Sequence, residues 1–485
     1  MEMGLEEEAE QPQTTVHALL LSFPTRTHLV PLIQLAKRLA GVGNEIKCCK
    51  FVFTNIVSYQ VAGEAGGGGE EDEDAGFTLR TIGVPDGLPW GQGKDMLGMI
   101  QACNNMKAST LRFLPHLQQS PGLPLSLIIS DVFVPWAAEL ASSLGLPLFF
   151  FYTTNAASCC VMSHAPSLLA HHIIPFNESS HQELVPCPGA PMLLPRDFPF
   201  SMQLQDISHP QFQFTLNMFS HLEEATGLIL NTCHEIEADA VKALQARCPV
   251  YTVGPLFLPI SEDLESVTNQ KQIGVAETDD CLKWLDSQSA GSVLYVSFGT
   301  LANFSNVQMS ELALGLEKSQ QPFLWVVHKN VFNGVVSDAL PEGFLERVKD
   351  RCFVASWVPQ LQVLKHRSVG GFFSHCGWNS ILENITLKGV PMLCWPDKAE
   401  QGVNARILVD VWKLGMPFRV GKDCNISCDE VEAAVKTLME GEEAEEMKRR
   451  GAELKKQVET VRRKGGSSMM NLEALVMTIR SKVSN

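Results

Sequence analysis

Trp357–Gln401 reads WVPQLQVLKHRSVGGFFSHCGWNSILENITLKGVPMLCWPDKAEQ. Just upstream, Arg351–Ser356 (RCFVAS) is an apolar run of strand length that leads into Trp357-Val-Pro359. Gly370–Ser374 (GGFFS) is a second such run, and Val390–Trp395 a third, ended by Pro396. Between them lies a turn, His375-Cys-Gly-Trp-Asn-Ser380, and then a helix with Ile381, Leu382 and Ile385 at helical spacing. A strand, a glycine turn and a helix start in that order make an anion site. The first N–H groups of the helix lack intrahelical partners, and its dipole is positive there. His375, Asn379 and Ser380 add side-chain donors, so the turn reads as a phosphate pocket that does without a P-loop lysine.

Outward from this stretch the same alternation continues. Upstream come a strand at Ser292–Ser297, the pair Gly299-Thr300, a helix at Val307–Lys318 and a strand at Phe323–Val327. Downstream, helices are expected near Glu400–Val411, Cys428–Met439 and Glu443–Arg463, and Gly465-Gly466 breaks the chain before a last amphipathic helix, Met470–Ile479. The first half opens in the same way. Val16–Phe23 is an apolar strand, and Leu29, Leu32, Ile33, Leu35, Ala36 and Leu39 give a helix that Gly41 should end. Glu45–Thr54 returns to a strand. Further strands are expected at Phe77–Val84, Leu125–Ile129, Pro147–Phe151 and Gly227–Asn231, with helices at Leu97–Leu117 and Val134–Leu144. Strand–helix alternation in both halves predicts two parallel sheets with their loops facing ligands. The Pro-, His- and Met-rich stretch 155–220 is expected to shape a pocket.

Composition excludes several classes. With 485 residues and 45% hydrophobic content, large cores are available, and a formal net charge of −16 argues against nucleic acid and anionic membranes. No run approaches the roughly 18 apolar residues of a membrane span. The acidic start, MEMGLEEEAEQPQTT, is unlike a targeting peptide, so a cytoplasmic protein is expected, with 1–14 as a disordered tail. None of the 14 cysteines forms a CxxC pair, which fits reduced core thiols. Residues 63–76 (GEAGGGGEEDEDAG) read as an acidic loop too polar to fold. Their Asp72-Glu-Asp74 has the DxD form of a metal site but no rigid strand end to converge the carboxylates.

The Trp357–Gln401 stretch closely resembles the signature box of plant family-1 UDP-sugar glycosyltransferases. Matches stand at Trp357, Pro359-Gln360, Val363-Leu364, His366, His375-Cys-Gly-Trp-Asn-Ser380, Leu382-Glu383, Gly389-Val-Pro391, Pro396 and Glu400-Gln401. Two departures stand beside them: one extra residue between Glu383 and Gly389, which lengthens a helix end, and Lys398 where the family commonly has an apolar or aromatic residue. The resemblance implies an α/β fold of two Rossmann-like domains (GT-B) facing a central cleft. Residues 15–255 would bind the acceptor, 256–278 would link, 279–464 would bind the UDP-sugar, and 465–485 would cross back as a helix onto the first domain. It implies a monomer, a UDP-sugar donor used as co-substrate, a small-molecule acceptor, and no cofactor or metal.

The resemblance also assigns residues. Phe-Pro-Thr-Arg-Thr-His28 and Ser130-Asp131-Val-Phe place the base at His28 and its partner at Asp131, each just past a strand's carboxyl end. On its own, a histidine at a helix start reads first as a cap or surface residue. Trp357 would stack on uracil beside Val358 and Gln360, although a core tryptophan is the common alternative. His375, Gly377, Trp378, Asn379, Ser380 and, from the preceding crossover, Thr300 would hold the diphosphate. Glu383 would take the ribose hydroxyls; the rival reading is a capping box, Ser380-Ile-Leu-Glu383. Glu400 and Gln401 would grip the sugar, with Thr153 adding a contact from the first domain. Gln401 points to glucose, whereas Lys398 would suit an acidic sugar such as glucuronic acid. A dehydrogenase would need GxGxxG after the first strand, which is not there. A non-catalytic nucleotide-sugar binder would have no use for both His28 and Asp131.

Overall fold

The computed structural model describes residues 13–58, 60–61, 71–74, 77–89, 95–118, 124–177, 182–257, 275–299, 304–327, 340–418 and 426–484. Two sheets organise them. The first holds β1 (Thr14–Leu21), β2 (Cys49–Ser58), β3 (Glu71–Asp74), β4 (Phe77–Val84), β5 (Leu127–Asp131), β6 (Leu148–Tyr152), β7 (Gly227–Leu230) and β8 (Val250–Thr252), in the order β3-β4-β2-β1-β5-β6-β7-β8. The second holds β9 (Val293–Ser297), β10 (Phe323–Val326), β11 (Cys352–Ala355), β12 (Val369–Ser374), β13 (Met392–Cys394) and β14 (Gly415–Pro417), in the order β11-β10-β9-β12-β13-β14. All pairings are parallel except β3 with β4. Central strands such as β5, β6, β9 and β12 are buried at every residue, as helices on both faces require.

The strand order fixes where ligands can enter. From β1 the chain builds outward through β2 and β4, then returns to β5 on the other side of β1 and builds the opposite way. The second sheet does the same, from β9 to β11 and then from β12 to β14. Each sheet therefore has one topological switch point, β1/β5 and β9/β12, where neighbouring crossovers diverge and leave a crevice beyond the strand ends. His28 and Asp131 flank the first crevice. Gly299 and His375 flank the second.

Four expectations need correcting. The first helix does not stop at Gly41 but runs Arg26–Glu45 through both Gly41 and Gly43. Gly43 serves packing: a Cβ there would lie 2.7 Å from the Cys49 carbonyl oxygen and 2.9 Å from the Phe51 ring, whereas one on Gly41 meets nothing within 4 Å. The acidic stretch is not wholly loop, because Glu71–Asp74 forms β3, antiparallel to β4 with Glu71 opposite Arg80. Backbone pairing to an open sheet edge is indifferent to side-chain polarity, and a charged edge strand resists further pairing. The rest of 63–70 and 75–76 lies outside the described residues, as do 1–12 of the expected tail; Thr14 is already in β1. The expected linker overlaps a helix that begins at Val275.

The last helix, Ser467–Val483, returns to the first sheet and buries Met469, Leu472, Leu475, Val476 and Ile479 in the same cluster as Leu32, Leu35 and Phe53. Ser468 donates to the Gly254 carbonyl at 2.8 Å, and Tyr251 donates to Thr478 at 3.0 Å. Across the interface, the Trp378 indole N–H donates to the Asn231 carbonyl at 2.9 Å and that of Trp412 to the Ile236 carbonyl at 3.1 Å. Arg406 pairs with Asp197 at 2.7 Å. The helix glycines give a direct test. Gly41→Ala should raise the urea unfolding free energy by ~0.5–1 kcal/mol, the ordinary helix preference. Gly43→Ala should lower it by ~1–3 kcal/mol through overpacking. Equal effects would contradict the packing assigned to Gly43.

Candidate active site at the interdomain cleft

His28 is the third residue of the Arg26–Glu45 helix, which follows Thr25 in extended conformation. Its Nδ1 lies 2.6 Å from Oδ2 of Asp131, the buried last residue of β5, whose Oδ1 accepts from the Phe133 N–H at 2.9 Å. A carboxylate so close holds the proton on Nδ1 and leaves Nε2 as the basic nitrogen. Phe23 and Phe133 pack their rings on the imidazole at 5.3 and 4.9 Å. Burial pulls the His28 pKa down, but the charge and hydrogen bond of Asp131, with a smaller push from Glu400, outweigh it and leave it above the ordinary value. Thr153, expected at the sugar, has its hydroxyl 3.4 Å from the same Nδ1. His17, inside β1, bonds Thr54 at 2.9 Å and is structural.

In the second crevice, His375 follows β12 and Gly377 starts the Trp378–Leu387 helix. The imidazole of His375 lies between two glycines: a Cβ would come within 2.9 Å of it from Gly299 and 2.5 Å from Gly377. Gly299, at φ +71°, also needs the left-handed conformation. Burial lowers the His375 pKa to about 4. At neutral pH the ring is therefore an uncharged donor, and the positive character of the turn comes from the helix start.

Gln360 gathers a second group. Its Oε1 accepts from the Tyr295 hydroxyl at 2.8 Å, and its Nε2 donates to Ser380 at 3.0 Å and to Glu383 at 2.6 Å. Burial raises the Glu383 pKa to about 7, against the opposing hydrogen bond from Gln360. The capping-box alternative fails, because Gly377 occupies the N-cap position and Ser380 already lies inside the helix. Trp357 is half-buried and Val358 buried at the approach to Gln360.

Other candidates are turned toward the interface. The Trp378 side chain is buried against Asn231 and Trp412, which leaves its backbone N–H to the helix start. Asn379 Nδ2 donates to the Thr27 carbonyl, beside His28, at 3.3 Å. Glu400 Oε1 accepts from the Thr154 hydroxyl at 3.0 Å, and Gln401 Oε1 accepts from the N–H groups of Asp397 and Lys398 at 2.9 and 3.0 Å, which leaves Nε2 uncommitted among the described residues. Lys398 pairs with Asp397 at 3.5 Å. The extra residue of the box falls at the helix end, where the Lys388 ammonium donates to the carbonyls of His366, Arg367 and Val369. Thr300 lies outside the described residues. Tyr295, Thr154 and Asn404 went unnoticed in the sequence; no local pattern marks residues whose partners are this distant in the chain.

The site thus joins a His28–Asp131 pair at one switch point and a glycine turn that opens a helix at the other, each in an α/β domain of its own. Residues 268–456 match the family model described as UDP-glucoronosyl and UDP-glucosyl transferase. The chain is 34% identical to 7-deoxyloganetin glucosyltransferase of Gardenia jasminoides, over 96% of this chain and 98% of that protein. It is 33% identical to (R)-mandelonitrile beta-glucosyltransferase of Prunus dulcis, over 96% and 97%. Among solved structures, UGT2 of Phytolacca americana, complexed with UDP-2fluoro-glucose and pterostilbene, superposes with a TM-score of 0.79 at 29% identity, covering 97% of this chain and 100% of that one. The protein belongs to the plant UDP-glycosyltransferase family and is a UDP-glycosyltransferase.

The electrostatics of the dyad can be tested on the free enzyme. His28 should titrate above ~6.5 by NMR in the wild type. In Asp131→Asn the burial penalty is opposed only by the smaller push from Glu400, and the pKa should fall below that value. An unchanged pKa would show that Asp131 does not control the ring.

Proposed function

We propose that the enzyme transfers glucose from UDP-glucose, with inversion, to a hydroxyl or carboxyl of a small apolar secondary metabolite such as a phenolic, flavonoid or terpenoid. The observation that carries this reading is the His28–Asp131 contact of 2.6 Å at the switch point opposite the phosphate turn. In this reading Nε2 of His28 removes the acceptor proton as the oxygen attacks the anomeric carbon, and Asp131 stabilises the imidazolium as it forms. The attacking oxygen and the leaving UDP lie on opposite faces of the sugar, so an α-linked donor yields a β-glycoside. Phe23 and Phe133 around the base favour an apolar acceptor.

Donor binding follows the second crevice. Uracil stacks on Trp357 beside Val358 and Gln360, and the ribose hydroxyls donate to Glu383. A carboxyl group whose pKa is near 7 sheds its proton readily when hydroxyl donors arrive. The diphosphate meets His375, the Ser380 hydroxyl and the N–H groups of Gly377 through Asn379, with Thr300 adding a donor from the preceding crossover. The incoming phosphate charge in turn favours a protonated His375. These donors and the helix dipole take the part that a metal plays elsewhere, so no metal is required. Among the described residues no group of three or more metal-ligating side chains occurs, and no helix is long and apolar enough to cross a membrane. We place the enzyme in the cytoplasm as a monomer.

His28→Ala should abolish transfer to a phenol of ordinary acidity while the Kd of UDP stays within about threefold, since the mutated group lies in the other crevice. Near-full turnover would remove His28 from the role of base. For the donor, Glu400 and Gln401 offer a sugar hydroxyl an acceptor and a donor, and an epimer leaves one of them unpaired. On a single acceptor, kcat/KM for UDP-glucose should exceed those for UDP-galactose and UDP-glucuronate by about tenfold. A tenfold advantage for either of these would overturn the glucose assignment and leave the transferase activity standing.

A further inference from the structure

Beyond β6 the chain passes through Thr153-Thr154-Asn155 into the helix Ala156–Ser163. Glu237, buried and used by no step of the transfer, fixes that helix start: its two carboxylate oxygens accept from the N–H groups of Ala156 and Ala157, both at 3.0 Å. Asn155 caps the same helix through Ser158 N–H at 2.6 Å and donates to Asn404 of the other domain. Three successive side chains on this clamped segment thus reach three places: Thr153 toward His28, Thr154 to Glu400, and Asn155 to Asn404.

Glu400 is gripped from both domains. Thr154 donates to it at 3.0 Å from the first, and Asn404 Nδ2 at 3.3 Å from the second; the same Nδ2 donates to the Cys376 carbonyl in the phosphate turn at 2.8 Å. Both bonds to Glu400 fall on Oε1. Oε2 is then the oxygen that a ligand hydroxyl would meet. Thr154 and Asn404 are both buried, so neither bond is exchanged cheaply for one to bulk water.

We infer that Thr154 is a positioning residue for recognition of the donor sugar, a first-domain hydroxyl that sets the carboxylate of Glu400 in the second domain. This rests on the reading of Glu400 as a sugar-binding group. It means that the sugar is read only when both domains are in register, while the uracil and ribose contacts lie wholly in the second domain. UDP affinity and sugar recognition should therefore respond differently to a change at Thr154.

Thr154→Val keeps the shape and removes the hydroxyl. It should lower kcat/KM for UDP-glucose about tenfold, mainly through KM, with the calorimetric Kd of UDP within about twofold of wild type. Thr154→Ser, which keeps the donor, should recover at least about half of the lost efficiency. Glu400→Ala, run alongside, should lose about a hundredfold. If Thr154→Val stays within about twofold of wild type while Glu400→Ala is crippled, the inference fails and the role of Glu400 stands. If Glu400→Ala is itself near wild type, the sugar role of Glu400 is refuted and the inference falls with it. A parallel loss of UDP affinity in Thr154→Val, or a Ser variant no better than Val, would reduce Thr154 to packing and overturn the proposal.

Discussion

A parallel sheet whose crossovers change direction must open a crevice beside the strand where they part. This protein has two such sheets, each with one such opening. β1 and β5 deliver His28 and Asp131 from strands that are neighbours in space and far apart in sequence. β9 and β12 deliver Gly299 and His375 in the same way. The His28–Asp131 pair thus stands at one opening and the His375 turn at the other.

Two crevices are useful only if they face each other, and the interface shows how that alignment is held. Indole N–H groups of Trp378 and Trp412 reach backbone carbonyls of the first domain, and the amides of Asn155 and Asn404 pair where both residues are fully buried. A buried donor left unpaired costs about 1–3 kcal/mol, so sliding one domain past the other would break several such bonds at once. The final helix ties the chain back onto the first core through Leu472, Leu475 and Ile479. The start of the Trp378–Leu387 helix adds to this, because the side chains of Trp378 and Asn379 both reach carbonyls of the first domain.

How much of this could be read in the sequence depended on distance along the chain. The strand–turn–helix around His375 was legible because its strand, glycines and helix start are contiguous, and β12 and the Trp378–Leu387 helix fall where the pattern puts them. Local rules misled where packing overrode them. Gly41 looks like a helix stop but lies within a helix that continues past Gly43 to meet Cys49 and Phe51. Ser380 and Glu383 have capping-box spacing, yet the helix begins before them and both turn to Gln360. The acidic stretch gains a strand because β4 offers an open edge. Least legible were Thr154 and Asn404, whose partners Glu400 and Asn155 lie in the opposite domain. No periodicity or motif records a contact that exists only after two domains have docked.

In the proposed reaction the acceptor approaches from the His28 side and UDP departs on the side of the His375–Ser380 turn, in a single displacement. The anomeric configuration of the product, read by proton NMR after transfer from the α-linked UDP-glucose to a simple phenol, tests it most directly. A β-glucoside is the result this arrangement predicts. An α-glucoside would require attack from the face that UDP leaves, and would contradict the assignment of the two crevices.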